Sequence, residues 1–541
     1  MDDSQRKMPA IPTKDQILWQ DMEVGMFIHW APYVYLNPGP GEEFETYTPP
    51  VECVTTQNFD VSQWVQTAID MEAKFIVFVA KHGGGFCMWP TETTPYSVKN
   101  ISWKDGKGDV LKDISEECRR RGVRLGLYVC PQDLYLGADT ASVCENEEKQ
   151  LRHNALYRQQ LTEVLTGYGD MCEMWFDGST VCPVNDILEK HAPHAMIFQT
   201  PEPTIRWTGN EFGVAQYPAW NGIAEINHPQ SPVGSDGTPD GKYWIPVEAD
   251  LPIRGDFQWF WTPTNESTLK PVQQLMDIYY NTVGRGAVML LNANPDREGR
   301  IPVADAVRAR ELGDMIRRLK SAVIAGTSGR GAVMELDFGE MRTVDHVFID
   351  EDIAFGERIR AFTLEGCGGG GWEKLADGTA VGHRYIARFP AGRFSRLRFT
   401  ADHYADTPII KCFAACHADL PVEHCNTPPT LLDYRKVFEW GVEQFYGKGL
   451  EPKRFTIYFS DWFTESALMG KYEVKLLPGN GSVTILEAVL GKDGVAWSST
   501  ELVSAEILHL DIRETGDYRL DLTVQLDTKE SNGAIYIRRM R

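Results

Sequence analysis

The 541-residue sequence lacks the features of several large functional classes. No apolar run reaches the roughly 18 residues of a membrane-spanning helix, and the first residues contain no apolar core of a signal peptide. Basic residues are scarce, since 54 Lys and Arg stand against 76 Asp and Glu, for a formal net charge of -22. This charge repels phosphate backbones and anionic lipid surfaces, so we expect neither nucleic acid nor membrane as a partner. We expect a cytoplasmic protein, or a secreted one if a signal peptide has been removed.

Cysteine patterns of the metal-binding or redox type are also missing. The eleven cysteines are odd in number and include no C-x-x-C or histidine-paired spacing, so neither a disulfide framework nor a zinc site is predicted. Gly83-Gly84-Gly85 is rich in glycine, but no helix begins directly behind it, which argues against a phosphate-binding loop. A neutral ligand is favoured. The 15 Trp and 20 Tyr would suit a sugar, whose C–H faces stack on aromatic rings.

The length predicts two to four domains, because single cores stop growing at about 250–300 residues. From about 20 to 320, short apolar runs alternate with amphipathic stretches, a pattern typical of βα units on a parallel sheet. The clearest predicted strands are 25–29, 75–80, 125–130, 171–176, 195–199 and 287–291, and the predicted helices are 61–73, 109–121, 147–165, 183–190 and 271–283. About 300 residues of such units indicate an α/β protein with a (β/α)8-type barrel, a doubly wound open sheet being the alternative.

Beyond about 325 the pattern changes to period-2 segments with turn signals, which predicts two β-sandwich-like domains after the barrel. A linker is predicted at 426–430 and a helix at 431–446, followed by a second β-rich unit over 454–541. The predicted domains are therefore a barrel over 1–325, a β-sandwich over 326–420, and a C-terminal β-rich accessory domain over 421–541.

Polar side chains follow four successive predicted strands. An Asp-Gly pair alone usually starts a turn, but the carboxyl ends of barrel strands share one face, where active sites lie. Finding polar residues at all four ends therefore predicts a shared pocket. These residues are His29, Lys81 and His82, Gln132 and Asp133, and Asp177.

Two carboxylates fit the chemistry of sugar hydrolysis. That reaction needs one ionised carboxylate at the anomeric carbon and one carboxylic acid at the leaving oxygen. Asp177 is a candidate for the first. Glu211 is a candidate for the second, because it lies in an aromatic, glycine-flanked turn, Trp207-Thr-Gly-Asn-Glu211-Phe-Gly213, that can remove it from water.

Several motifs appear in one order along the chain: Gly25-Met-Phe-Ile-His29-Trp30, Ala80-Lys81-His82, Gly85-Phe86-Cys-Met-Trp89-Pro90, Gly126-Leu-Tyr128, Trp175-Phe-Asp177-Gly178, Arg206-Trp-Thr-Gly-Asn-Glu211, Pro246-Val-Glu248-Ala-Asp250, Trp259-Phe260 and Leu290-Leu-Asn292. With them, residues 20–420 resemble the α-L-fucosidases of glycoside hydrolase family 29, in particular the branch that acts on α-1,3/1,4-linked fucose. The last 120 or so residues lie outside the resemblance.

The resemblance implies roles for individual residues. Asp177 would be the nucleophile and Glu211 the acid/base of a retaining hydrolysis, with their carboxyls ~5–5.5 Å apart. Sugar contacts would come from His29, His82, Trp89, Tyr128, Trp259 near the fucose methyl, Arg254, and Glu43 or a neighbouring glutamate of the first loop. The implied substrate is an oligosaccharide or glycoconjugate with a terminal α-L-fucosyl residue, and no metal or organic cofactor is implied.

The chain departs from the family at several positions of the glycone pocket. Lys81-His82-Gly83-Gly84-Gly85-Phe86 stands where the family usually has Lys-His-His-Asp-Gly-Phe, and Gln132 stands where it usually has Trp. The missing side chains predict room for another sugar hydroxyl. Three interpretations therefore stay open: an exo-acting α-L-fucosidase, a glycosidase for another L-hexose such as an α-L-galactoside or α-L-glucoside, and a non-catalytic carbohydrate-binding relative.

Because 421–541 falls outside the resemblance, its removal is expected to spare turnover of a small aryl glycoside. Linkage, aglycone and oligomeric state are not predicted.

Overall fold

The computed structural model describes residues 9–35, 48–139, 142–178, 180–199, 202–226, 234–255, 257–420, 435–440, 452–459, 469–493, 495–496, 500–516, 518–527 and 532–540. Eight parallel strands form the first sheet: Val24–Ile28, Phe75–Lys81, Arg124–Val129, Glu173–Trp175, Met196–Phe198, Arg206–Trp207, Val247–Pro252 and Val288–Asn292. Numbered in chain order, they are arranged 5-4-3-2-1-8-7-6. A parallel bridge between Phe198 and Ile205 joins the two ends of this sheet. The predicted barrel is confirmed, and the open doubly wound sheet is excluded.

Helices alternate with these strands, as the periodicity predicts. The α-helices are Lys14–Gln20, Val61–Asp70, Val110–Arg121, Glu147–Gly167, Asn185–His191, Val272–Thr282 and Val303–Ser321. Four of these helices begin at side chains that accept a hydrogen bond from the first turn, namely Thr13, Asp60, Asp109 and Asn146. In the part of the chain that the structure describes, no helix has the length and apolar character needed to cross a membrane.

Two fully buried glutamates face each other inside the barrel. Glu173 on the fourth strand and Glu248 on the seventh both accept from the indole N–H of Trp175, at 2.6 and 2.8 Å, and Glu173 also accepts from Trp19 at 2.6 Å. Burial raises the pKa of Glu173 to about 7. Burial first, and then the neighbouring Glu173, raise the pKa of Glu248 well above its usual range. The pair therefore holds at least one proton at neutral pH.

A six-stranded antiparallel sheet follows the barrel. Its strands are Val323–Arg330, Val333–Glu351, Ile359–Gly368, Gly371–Gly378, Tyr385–Tyr404 and Ile409–Cys416. They enclose a core that includes Val347, Ile349, Phe399 and Phe413. The sheet is tied to the barrel by Arg384, which pairs with Asp350 at 2.8 Å and with Glu23, the residue before the first barrel strand.

Two further antiparallel sheets form the C-terminal unit. One contains Arg435–Trp440, Asn532–Arg539, Gly470–Asn480, Ile507–Ile512 and Thr500–Ser504, in that order. The other contains Lys453–Tyr458, Tyr518–Leu526, Val483–Lys492 and Val495–Ala496. A shared apolar core of residues such as Val474, Leu476, Leu510 and Leu522 joins the two sheets into a sandwich.

The helix predicted over 431–446 is wrong where the structure describes it. Arg435–Trp440 is a strand that pairs antiparallel with Asn532–Arg539, so that Lys436 lies opposite Tyr536. Because the neighbouring strand supplies ladder hydrogen bonds and a buried face, tertiary pairing outweighs the local helical periodicity. The rest of this segment and the linker predicted at 426–430 lie outside the described residues.

Candidate active site

Asp177 lies at the carboxyl end of the fourth barrel strand. Its backbone adopts a left-handed conformation, with φ of 48°, and Gly178 follows at φ of 113°. The Gly178 N–H donates to the side chain of Gln199 at 2.6 Å, which fixes this sharp turn. A non-glycine residue at positive φ is uncommon and concentrates at functional sites. The turn exposes the Asp177 carboxylate, and the hydroxyl of Tyr128 donates to its Oδ2 at 2.7 Å.

Glu211 lies in the loop after the sixth strand and is only 3% exposed. Asn210 shapes this loop, because its side chain accepts from the Phe212 N–H at 3.1 Å and donates to the Val214 carbonyl at 2.9 Å. The indole N–H of Trp259 donates to Glu211 Oε2 at 3.0 Å. The loop therefore presents a largely desolvated carboxyl in a fixed orientation.

A group of rings connects the two carboxyl groups. Tyr128, which binds Asp177, stacks on His82 with ring centres 5.4 Å apart, and His82 lies 5.9 Å from His29. His29 in turn lies 5.4 Å from Trp259, which binds Glu211. Phe260 contacts both histidine rings edge-on, at 5.4 and 5.1 Å. The structure thus brings His29, His82, Tyr128 and Asp177, which lie on or directly after the first four strands, together with the loop that carries Trp259.

His29 is neutral, and its tautomer follows from its contacts. Burial, followed by the nearby His82, lowers the pKa of His29 well below its usual range. Its Nδ1 lies 2.9 Å from the side-chain oxygen of Asn292, whose NH2 group donates to the Trp259 carbonyl at 3.1 Å. Since that oxygen can only accept, Nδ1 carries the proton and Nε2 is a hydrogen-bond acceptor.

Among the described residues, no group of three or more His, Cys, Asp or Glu side chains could hold a metal ion. Two carboxyl groups set among aromatic rings fit the hydrolysis of a glycoside. Comparison with known proteins supports the same activity. The alpha-L-fucosidase family model matches residues 5–320 of this chain. The chain belongs to the alpha-L-fucosidase family. It is therefore a glycoside hydrolase of family 29, as the motifs predict.

Individual members of the alpha-L-fucosidase family show how far the similarity extends. Alpha-L-fucosidase 1 of Arabidopsis thaliana is 31% identical over 451 residues, which cover 74% of this chain and 86% of the relative. The crystal structure of an inferred alpha-L-fucosidase from Bacteroides thetaiotaomicron has a TM-score of 0.71 and 32% identity, and covers 76% of this chain and 99% of that one. A glycoside hydrolase 29 member from an unknown rumen bacterium has a TM-score of 0.69 and 26% identity, and covers 99% of this chain and all of its own.

The room predicted beside Gly83 and Gly84, where the fucosidase family usually has His and Asp, is already filled. A methyl carbon built on Gly84 would lie 2.8 Å from Cζ of Tyr33 and still closer to its hydroxyl oxygen. One built on Gly83 would lie 2.5 Å from the side-chain oxygen of Gln132. The prediction of space for another hydroxyl is therefore wrong, because two other side chains of this chain occupy it.

Lys81 and Asp133, predicted at the same face, pair with each other. Their Nζ and Oδ2 atoms are 3.0 Å apart, and both side chains are fully buried. A buried pair of this kind costs desolvation of both charges and is retained only when each satisfies the other. These two polar strand ends are therefore structural, and they join the second and third strands.

Two residues that the resemblance assigned to sugar binding are engaged elsewhere. Trp89 is buried and donates its indole N–H to Glu163 on the helix Glu147–Gly167, at 2.9 Å. Arg254 is buried with its guanidinium bound to Asp305 at 2.8 Å and Asn265 at 2.9 Å. These contacts fix both side chains within the barrel, and their roles in sugar binding stay predictions. Glu43, like its neighbours Glu42 and Glu45, lies outside the described residues.

Other residues of the site were not predicted. Tyr33 lies in the turn Pro32–Tyr35 and packs edge-on against Phe260 at 4.8 Å and His82 at 5.8 Å, but no sequence pattern marks it. Asn292 ends the eighth strand and orients both His29 and the Trp259 backbone. The rule that selected His29, a polar residue at a strand end, would have selected Asn292 as well.

Proposed function

We propose that this glycoside hydrolase is a retaining, exo-acting α-L-fucosidase in which Asp177 is the nucleophile and Glu211 the acid/base. The observation that supports it is the pair of contrasting environments. Asp177 is exposed at a strand end, whereas Glu211 is desolvated in a loop, and one continuous group of rings connects them. Such a contrast is what separates the nucleophile from the proton donor in retaining glycosidases.

In the first step, Asp177 attacks the anomeric carbon while Glu211 gives its proton to the departing oxygen. The Tyr128 hydroxyl binds Oδ2 of Asp177, so we assign the attack to Oδ1. Trp259 binds Oε2 of Glu211, so we assign proton transfer to Oε1. The products of this step are the free leaving alcohol and a fucosyl ester of Asp177.

In the second step, Glu211 takes a proton from water as the water attacks the anomeric carbon. The C–O bond to Asp177 breaks, the carboxylate leaves, and Glu211 regains its proton. Two displacements at the same carbon return the sugar with its original anomeric configuration. In this scheme Nε2 of neutral His29 accepts a hydrogen bond from a sugar hydroxyl, and Trp259 and Phe260 supply the apolar surface for the methyl group of fucose.

The family implies oligosaccharide or glycoconjugate substrates, and the acidic composition supports a neutral sugar rather than a nucleic acid or a membrane surface. Fucose is preferred over another L-hexose because the space beside Gly84 holds the Tyr33 ring, which Phe260 and His82 keep in place. No observation now favours the α-L-galactoside or α-L-glucoside alternatives, and the family match argues against a non-catalytic relative.

Proton NMR of the first product formed from 4-nitrophenyl α-L-fucoside tests the proposal. We expect the α-anomer to appear first and the β-anomer only through slow mutarotation. The first appearance of the β-anomer would refute attack by Asp177. Turnover of nitrophenyl α-L-galactoside and α-L-glucoside, measured beside that of the fucoside, tests which sugar the enzyme prefers. Turnover of either at a rate equal to that of the fucoside would refute fucose as the preferred glycone.

A further inference from the structure

Three aromatic rings meet where the C-terminal sandwich touches the barrel. Tyr536, from the strand Asn532–Arg539, lies 6.2 Å from Phe212 in a stacked arrangement and 6.3 Å from Phe257. Phe212 and Phe257 also contact each other edge-on at 5.6 Å. All three rings are buried, and Tyr536 is 0% exposed. The sandwich therefore forms a closed apolar contact with two barrel loops.

The two barrel rings are the immediate neighbours of a functional contact. Phe212 directly follows Glu211, and Phe257 precedes Trp259 by two residues. Glu211 and Trp259 are the two partners of the 3.0 Å hydrogen bond that orients the proposed acid/base. Tyr536 thus touches both loops whose relative position sets that hydrogen bond.

The strand that carries Tyr536 is well held. It lies inside the five-stranded sheet, paired on one side with Arg435–Trp440 and on the other with Gly470–Asn480. Ile535 and Ile537, on either side of Tyr536, point into the sandwich core. On the face toward the barrel, Ala534 and Leu477 complete the apolar contact. Tyr536 therefore projects from a rigid support rather than from a loop.

We propose that Tyr536 of the C-terminal sandwich is a positioning residue for catalysis, which holds the Glu211 and Trp259 loops in register through Phe212 and Phe257. The proposal rests on the proposed role of Glu211 as acid/base. It leads to the opposite of the sequence-based expectation that 421–541 is dispensable for a small aryl glycoside. Removing this unit would expose Phe212 and Phe257 and release the two loops from each other.

A misplaced proton donor has a distinctive kinetic effect, which provides the test. A poor leaving group such as phenoxide needs protonation by Glu211, whereas 2,4-dinitrophenoxide leaves without it. We expect Tyr536→Ala in the full chain to lower kcat/KM on phenyl α-L-fucoside at least tenfold or so, within the ~10²–10⁴-fold contribution of a positioned acid. On 2,4-dinitrophenyl α-L-fucoside the loss should stay below about threefold, and added azide should trap the fucosyl ester as fucosyl azide.

Matched variants separate positioning from stability. Tyr536→Phe keeps the ring, so its ratio of kcat/KM values on the two substrates should equal that of the wild type. Ile535→Ala removes a core side chain from the same strand without touching the loops, so it should lower thermal stability and leave the ratio unchanged. Phe257→Leu removes a partner ring from the barrel side and should reproduce the selective loss, which keeps the test decisive if Tyr536→Ala does not fold.

Equal losses on both substrates in Tyr536→Ala or Phe257→Leu, or a selective loss in Ile535→Ala, would overturn the proposal. Glu211→Ala is measured in parallel to examine the role on which it depends. If Glu211→Ala shows a strong leaving-group dependence and Tyr536→Ala does not, only the positioning role fails. If Glu211→Ala shows none, the assignment of the acid/base itself fails.

Discussion

Gly84→Ala adds one methyl group at the point where Tyr33 fills the glycone loop. Gly84 has an ordinary backbone conformation, so the substitution is judged by space alone. The new carbon would meet Cζ of Tyr33 at 2.8 Å and its hydroxyl closer still, so the Tyr33 ring must move. That ring packs edge-on against Phe260 with an interplanar angle of 90° and against His82 with one of 82°.

The loss of stability in Gly84→Ala depends on how far the Tyr33 ring can move. Tyr33 is 4% exposed and closed in by Phe260 and His82, so its displacement is an overpacking event worth about 1–3 kcal/mol. For a barrel of this size that corresponds to a fall in Tm of about 2–5 °C. Because His82 and Phe260 line the proposed sugar pocket, we also expect KM for 4-nitrophenyl α-L-fucoside to rise.

Gly83→Ala is the matched control. Its new methyl group would meet only the amide end of Gln132, at 2.5 Å, and a flexible side-chain end can rotate away at a cost below about 1 kcal/mol. Calorimetry of the two glycine variants, of Tyr33→Phe and of the two double variants gives the coupling energy between each glycine substitution and Tyr33→Phe. We expect about 0.5–3 kcal/mol between Gly84→Ala and Tyr33→Phe, because loss of the Tyr33 hydroxyl removes the closest contact of the clash, and none between Gly83→Ala and Tyr33→Phe. Equal Tm values for the two alanine variants, or no coupling in either pair, would show that Tyr33 does not fill the loop as described.

Two further predictions concern the carboxyl groups. Asp177→Asn should leave the fold and Tm unchanged and lower kcat by at least ~10³-fold on 4-nitrophenyl α-L-fucoside, because a carboxamide cannot replace the carboxylate as nucleophile; activity within tenfold or so of the parent would exclude Asp177 as nucleophile. Burial raises the pKa of Glu173 to about 7 and that of Glu248 further above its usual range, so the folded protein holds protons that the unfolded chain releases near pH 4–5 or so. Stability should therefore fall as the pH rises from about 5 to 8, and Glu248→Gln should flatten that fall, whereas an unchanged Tm profile in Glu248→Gln would contradict the protonation of this glutamate pair.

Much of the barrel could be predicted because its strands are continuous apolar runs. Residues 75–80 and 171–176 read as buried strands, and the structure has strands at Phe75–Lys81 and Glu173–Trp175. The sixth and seventh strands were not identified. Arg206–Trp207 is too short to show periodicity, and Val247–Pro252 carries Glu248 and Asp250 into the barrel interior, where a sequence pattern leads one to expect apolar side chains.

The candidate site, like the barrel, could be predicted only in part. Strand-end positions could be predicted, since the geometry of a parallel barrel places them on one face, and this selected His29 and Asp177. Contacts between side chains could not. The burial of Trp89 against Glu163, the ion pair of Arg254, and the meeting of Tyr536 with Phe212 depend on packing between segments distant in the chain, and no local pattern records them.

The strand pairing of the barrel differs beside Asp177 and beside Glu211, so the two segments should tolerate insertions and deletions to different degrees. The fourth strand, two residues before Asp177, is paired with both the third and the fifth strands. The two-residue sixth strand before Glu211 is paired with the seventh, but it meets the fifth only through the bridge from Phe198 to Ile205. Insertions or deletions beside Glu211 therefore disturb few ladder hydrogen bonds, while the same changes beside Asp177 would shift two strand registers. We therefore expect the position of the proposed proton donor to vary more among related enzymes than the position of the proposed nucleophile, which an alignment of such enzymes would test.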